Sequence, residues 1–238
     1  MPHNVEESIS FAFCDSGTVD AKFMSGVLNT IFWARENKIN IVGKIRVMGN
    51  QIGRQRQNVF DTWADKYKTD WLLWIDSDIV LTPEAFKLVW DTADKDTRPV
   101  VSGLYFVSKE IENSLMEPMP AVFKENKNKY ELEILDPIPY NQVIEIDSTG
   151  FGFLLMHKSI ISKIRKENPD YSLFAEEEGL GEKYVSEDIV FCRKLKKTGI
   201  KIYAHTGATV QHMKRFSLDV NYNNVYWNAL EKGLFTKK

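Results

Sequence analysis

Residues 71–80, Trp-Leu-Leu-Trp-Ile-Asp-Ser-Asp-Ile-Val, constrain this chain more than any other stretch. An apolar run of strand length stops at two carboxylates, Asp76 and Asp78, with the small Ser77 between them. Consecutive apolar side chains bury both faces, which suits a strand in the middle of an α/β sheet. The C-terminal ends of such strands are where open α/β sheets bind ligands. Residues two apart in an extended chain point the same way, so Asp76 and Asp78 are expected to face one ligand together. Two anions aimed at one place repel unless a cation sits between them, and a hard divalent metal supplies it. A polar turn after a core strand explains the same residues. The rest of the chain has to decide.

At 238 residues, 43% hydrophobic and 27% charged, the chain suits one large globular domain, or one domain with an appendage. Its net charge of −2 gives no global argument for nucleic acid, which remains only as a locally recognised acceptor. Two cysteines, Cys14 and Cys192, cannot build a disulfide framework, and their apolar neighbours mark both as reduced core residues. Glu6, Glu7 and Ser8 interrupt any signal-like start, and no stretch reaches membrane-spanning length. A soluble, cytoplasmic protein is expected (in the host cytoplasm if the chain is viral).

In chain order, residues 9–14 read as a first strand ending at a turn, Asp15-Ser16-Gly17. Asp20 can cap a helix whose stripe is Phe23, Val27, Leu28, Ile31 and Phe32. Residues 40–44 form a second strand, and a helix over about 54–68 buries Val59, Phe60 and Trp63. Thr82-Pro83-Glu84 starts another helix, with Thr as cap and Pro at the first helical position. Strand and helix alternate through about residue 107, as in a nucleotide-binding α/β half. Residues 100–107 are another β run. The segment over about 108–215 changes character: 121–123 and 130–135 flank a polar loop, as in a hairpin, and prolines punctuate it. This half is expected to be irregular and partly antiparallel and to carry acceptor recognition. Residues 143–147 make a strand before Ser148-Thr149-Gly150-Phe151-Gly152-Phe153, whose two glycines imply positive φ or close approach to a ligand, or else a bulge. A Glu-rich loop around 176–178 is expected to be mobile. Ser186, a good cap, opens a helix to about Thr198, and residues 201–204 form a last strand. A tail over about 216–238 is expected to pack back as a short helix.

Asp76-Ser77-Asp78, Ser186-Glu187-Asp188 and His212 together make the sequence resemble glycosyltransferases of the GT-A fold, the nucleotide-sugar-dependent type with a DxD metal motif (family 2-like). The resemblance runs in order over residues 9–215. It includes an Arg-bearing helix before the metal strand, the Thr-Gly-Phe-Gly-Phe loop and the Ser-Glu-Asp-Ile-x-Phe-Cys helix start. The resemblance implies a Rossmann-like nucleotide-binding half with a mixed central sheet, plus an irregular acceptor-binding half. It implies a donor, most often a UDP-sugar, and Mn²⁺ or Mg²⁺ held by Asp78, by Asp76 directly or through water, and by His212, with His205 a competing ligand. The metal stabilises charge growing on the leaving diphosphate. Asp188 resembles the base that takes the acceptor's proton in inverting members, and Glu187 would orient hydroxyls. Arg54 or Arg56 would approach the donor diphosphate, with Lys214 and Arg215 closing over it. Cys14 and Asp15 would meet the base, Asp76 and Ser77 the donor, and Thr149 and Gly150 would line the sugar and acceptor pocket. The acceptor, be it a glycan, a protein, a small molecule or a hydroxylated DNA base, is left open.

Three rivals stand beside this reading. Asp76-Ser77-Asp78-Ile79-Val80 fits the D-x-D-x-[T/V] pattern of haloacid-dehalogenase-type phosphatases, where Asp76 would be the nucleophile. That motif normally follows the first strand, whereas two strands precede it here. A nucleotidyltransferase lacks its glycine-rich N-terminal phosphate loop in this sequence. A non-catalytic sugar-binding module would bind without turnover.

Overall fold

The computed structural model describes residues 7–110, 116–125, 132–169, 172–178, 184–214 and 220–234. The first elements are β1 (Ser8–Asp15), α1 (Ala21–Glu36), β2 (Asn40–Met48), α2 (Ile52–Thr62), β3 (Trp71–Ile75), β4 (Ile79–Val80), α3 (Pro83–Thr92) and β5 (Val100–Leu104). A π-helical turn, Trp63–Tyr67, continues α2. There follow β6 (Phe106–Glu110), β7 (Met116–Pro120), β8 (Val122–Glu125), β9 (Leu132–Ile134), β10 (Val143–Ile146), β11 (Ser148–Thr149), β12 (Phe153–His157) and α4 (Ser159–Glu167). The last elements are β13 (Glu177–Glu178), β14 (Tyr184–Val185), α5 (Glu187–Lys197), β15 (Ile202–Thr209), β16 (Gln211–His212) and α6 (Val220–Glu231).

Seven strands make one central sheet in the order β10-β15-β5-β12-β3-β1-β2. β1 runs parallel to β2 and β3, and β5 parallel to β15, while β12 is antiparallel to both its neighbours, β3 and β5. Both halves of the sequence therefore feed the same sheet. Alternation along β3 sends Trp71, Leu73 and Ile75 to the face covered by α1 and α3, and Leu72 and Trp74 to the face covered by α2, α4 and α5. All five are essentially fully buried, as the uninterrupted apolar run required. On the α2 side, Phe60, Phe151, Phe174 and Phe191 pack edge-on or stacked, with Trp63 and Trp74 against them. Each such side chain contributes about 1.5–3 kcal/mol by leaving water.

Several expectations change. The two carboxylates do not continue the strand: β3 ends at Ile75, and residues 76–78 turn, with the Ile79 amide donating to the Asp76 carbonyl. The buried side of α1 is Phe23, Gly26, Thr30 and Ala34, whereas Leu28 and Phe32 of the expected stripe are exposed. Helix α4 was not expected. Its Ile160 and Ile164 are buried, but no side chain caps its start. The β8–β9 hairpin forms, though loop residues 126–131 lie outside the described residues. In the Glu-rich stretch, Glu177 and Glu178 pair with β14. The tail forms helix α6, with Tyr226 and Leu230 partly buried and Tyr222 and Trp227 more exposed. Among the described residues no helix is long and apolar enough to cross a membrane.

Candidate active site

The site forms where β1, β3 and β12 expose their ends to the starts of α2 and α5. Asp76 follows Trp74 in alternation, so it leaves the sheet on the α2 side, and there it meets Arg56. The guanidinium is buried and carries three acids. Its Nη1 donates to Glu187 Oε1 at 2.7 Å and lies 3.8 Å from Asp188 Oδ2, while its Nη2 donates to Asp76 Oδ1 at 3.2 Å. The Phe151 ring lies beneath it, 5.0 Å from centroid to guanidinium carbon. Burial opposes the arginine's charge, but Asp76, Asp188 and Glu187 more than offset this and raise its pKa. Burial pushes the Glu187 carboxyl up against the pull of Arg56. Of the two candidate arginines, Arg56 is the one in the site, and Arg54 is exposed. Glu187 turns Oε1 to Arg56.

Asp188 begins α5 differently from the expected cap. The Ser186 hydroxyl donates to Asp188 Oδ1 and accepts no helix amide, and the Ile189 amide donates to the same carboxylate oxygen at 2.8 Å. Oδ2 is left facing Gly150, with Arg56 the cation within 4 Å among the described residues.

Asp78 lies on the other side of the turn. β16 pairs antiparallel with β4, setting His212 opposite Ile79, and the Met213 amide donates to the Asp78 carbonyl at 2.8 Å. This ladder brings His212 to Asp78 across 134 residues, Nε2 to Oδ2 being 3.0 Å. His212 Nδ1 is 2.8 Å from the Phe106 carbonyl, which can only accept, so Nδ1 carries the proton. In the neutral ring Nε2 then turns a lone pair toward the Asp78 carboxylate. Two lone pairs in that position require a proton or a metal cation between them, and a hydrogen bond that fixes the tautomer is the usual support of a metal-ligating histidine. Lys214 Nζ is 3.5 Å from Asp78 Oδ2. Burial disfavours the charge on Asp78, yet His212 with a proton on Nε2, and Lys214, hold its pKa below the usual carboxylate range. Among the described residues no three His, Cys, Asp or Glu side chains gather as a metal cage. The pair fits a cation that brings its remaining ligands as phosphate oxygens and water, the habit of Mg²⁺ at nucleotide sites. Asp76 goes with Arg56, outside this pair. His205 sits on β15, where its Nδ1 accepts from the Gly207 amide at 3.1 Å.

The glycine loop joins the two sides. The Asp76 amide donates to the Gly152 carbonyl at 3.2 Å, and the Gly152 amide donates to Tyr105 Oη at 3.2 Å. A Cβ on Gly150 would come within 2.0 Å of that hydroxyl and 3.3 Å of Asp188 Oδ2, and one on Gly152 within 2.7 Å of the phenol ring. The close approach is to Tyr105, itself buried and edge-on to His212, and neither glycine has positive φ. Burial, with Asp76 and Asp188 nearby, drives the Tyr105 pKa upward. Thr149 is fully buried, its hydroxyl 2.7 Å from the Ala121 carbonyl and 3.1 Å from Ser102 Oγ. Cys14 is buried, with its thiol pushed up to about 12, and the buried Cys192 likewise. Asp15 is clamped by Arg46 through two bonds of 2.6 and 2.7 Å and accepts the Gly17 amide at 2.7 Å. Ser77 is half-buried, and its carbonyl accepts the Asp20 amide. Arg215 lies outside the described residues. Sequence reasoning missed Arg46 and Tyr105 as site-forming residues. A charged residue in the alternation Ile45-Arg46-Val47 was a signal for the first. Nothing local named Tyr105 as the partner of the glycines.

No protein-family model matches the chain, and no curated protein matches it in sequence. Solved structures match in fold. The crystal structure of A197 from STIV aligns over 88% of this chain and 86% of that one, at 16% identity and a TM-score of 0.50. The crystal structure of GalNAc-T7 with UDP, GalNAc and Mn²⁺ aligns over 94% of this chain, which spans 50% of that one, at 12% identity and a TM-score of 0.57. Likeness at these identities speaks for the fold. With its seven-stranded mixed sheet between helical layers, the chain has the GT-A type of α/β fold.

Proposed function

We propose that this protein is a metal-dependent glycosyltransferase that moves a sugar from a nucleotide-sugar donor, a UDP-sugar in the first instance, to an acceptor hydroxyl. The observation that carries the reading is the Asp78–His212 pair, fixed by the Phe106 carbonyl, across the sheet end from the free oxygen of Asp188. Asp78 and His212 would hold Mn²⁺ or Mg²⁺, with Asp76 in reach through water or at the ribose. When bound, the metal supplies positive charge at the diphosphate, where negative charge grows as the anomeric bond breaks. Lys214 adds a cation on the same side. Asp188 Oδ2 takes the acceptor hydroxyl's proton while that oxygen bonds to the anomeric carbon and the nucleoside diphosphate departs, a single inverting displacement. The arginine clamp leaves Asp76 poorly free to act as a phosphoryl-accepting nucleophile, which disfavours the phosphatase reading.

A thermal-shift panel of nucleotide sugars with and without Mn²⁺ tests this. A donor at a hundred times its Kd adds about 2.7 kcal/mol, a shift of several degrees in Tm. Asp78→Asn is expected to lose the Mn²⁺-dependent part. If no donor stabilises the protein with Mn²⁺, or if Asp78→Asn responds like the wild type, the assignment is wrong.

A further inference from the structure

We infer that Arg56 is a positioning residue that holds the acceptor-side base, not a ligand of the donor phosphates. The inference rests on the glycosyltransferase reading and deepens it. An arginine that binds phosphate presents its fork to solvent or to an anion pocket. Arg56 does the opposite: it is 5% exposed, it lies over Phe151, and its Nη atoms point to carboxylates from two distant parts of the chain. One acid, Asp76, follows β3; the others, Glu187 and Asp188, open α5 131 and 132 residues beyond Arg56. The guanidinium is thus the joint between the donor side and the acceptor side of the site.

The acids play unequal parts. Glu187 Oε1 takes the 2.7 Å bond and is buried, so it acts as the counter-ion that fixes the fork in place. Asp188 has Oδ1 tied by Ser186 and by the Ile189 amide, which sets its carboxylate plane. Its Oδ2 stands 3.8 Å from Arg56, close enough for the guanidinium to orient it, too far to occupy its lone pairs. A base needs that arrangement: aimed and free to accept. The fork geometry matters as much as the charge, because a lysine has one ammonium and cannot reach acids in three directions at fixed angles.

The experiment compares wild type, Arg56→Lys, Arg56→Gln and the double variant Arg56→Gln/Glu187→Gln. The readouts are thermal unfolding, UDP-sugar affinity with Mn²⁺, and steady-state transfer. Arg56→Lys is expected to lower kcat at least tenfold while donor affinity changes less than about threefold, because a 1 Å misplacement of a reacting group is enough for losses of that order. Arg56→Gln is expected to lower Tm by leaving Glu187 buried and unpaired. The double variant removes that charge and is expected to recover most of the Tm but not the kcat. A recovery of kcat together with Tm would assign Arg56 a purely structural role and overturn the inference. So would an Arg56→Lys whose donor KM rises tenfold with kcat intact, the signature of a phosphate ligand. In both cases a wild type that transfers sugar leaves the enzyme assignment standing, whereas no transfer by the wild type from any donor overturns the two together.

Discussion

At the scale of single residues, the site depends on what is left out as much as on what is present. Gly150 and Gly152 leave the space that Tyr105 fills, and Tyr105 in turn packs edge-on against His212, 5.6 Å between centroids. The neighbours of a Cβ at position 152 are ring atoms at 2.7–3.0 Å, on a side chain that is buried and cannot swing away. Gly152→Ala is therefore expected to destabilise by about 1–3 kcal/mol, the usual range for overpacking, and to weaken Mn²⁺-dependent donor binding by moving the ring that supports His212. Adding Tyr105→Leu should return the stability without restoring metal binding, which urea denaturation and a Mn²⁺ titration would show. Equal stability of Gly152→Ala and wild type would mean that the phenol has room the distances deny.

At the scale of elements, short pairings set the chemistry and long ones set the frame. The two-residue ladder between β4 and β16 brings Asp78 and His212 together, and its position depends on α1, because Gly26 packs against Leu81, directly after β4. A Cβ there would meet the Leu81 carbonyl at 2.5 Å and its amide nitrogen at 3.0 Å, both backbone atoms. Gly26→Ala would gain about 1 kcal/mol of helix propensity but is expected to lose more to that clash, for a net loss of about 1–2 kcal/mol and a weaker donor-plus-Mn²⁺ shift. A more stable variant would show that α1 slides freely over β4. The same contact explains why the sequence misdirected α1. A stripe search follows the largest apolar residues, Leu28 and Phe32, yet a helix that approaches backbone closely turns its small residues, Gly26, Thr30 and Ala34, inward. β3 was legible because burial on both faces leaves an unbroken apolar run, and α5 because acids crowd its first turn. α4 was not, since a nine-residue helix starting at Ser159, with Lys158 before it offering no side-chain cap, carries little local signal. Within the site, the acids and His212 could be read from residue type and order. Arg56's three partners could not, because nothing in local sequence states which face of α2 meets which end of α5.

At the scale of the whole molecule, the sheet divides its labour between its two ends. The proposed site lies where β3 gives way to Asp76, and the opposite end of the same strands is fastened by Asp70. There the Ser8 amide and hydroxyl both donate to Asp70 Oδ2 at 2.8 Å, and Lys158 Nζ pairs with Oδ1 at 2.7 Å, so one carboxylate ties the starts of β1 and β3 to the residue after β12. Burial works against the charge, but the bonds from Lys158 and Ser8 outweigh it and hold the Asp70 pKa down at about 2. A carboxyl whose folded pKa is depressed stabilises the fold fully above its unfolded value, about 3.9, and loses that contribution as pH falls toward the folded value. The shift corresponds to at most about 2–3 kcal/mol at pH 7, reduced by solvent screening of the half-exposed Lys158. Asp70→Asn, which still accepts from Ser8, should therefore unfold at lower urea than the wild type at pH 7 and at pH 5, and the gap should close as pH is lowered from 4 toward 2. Donor and Mn²⁺ binding at pH 7 should survive the substitution, because the clamp lies at the far end of β3 from Asp76 and Asp78. A gap that persists unchanged at pH 2 would mean that Asp70 stabilises the fold by shape and hydrogen bonding alone, without its charge.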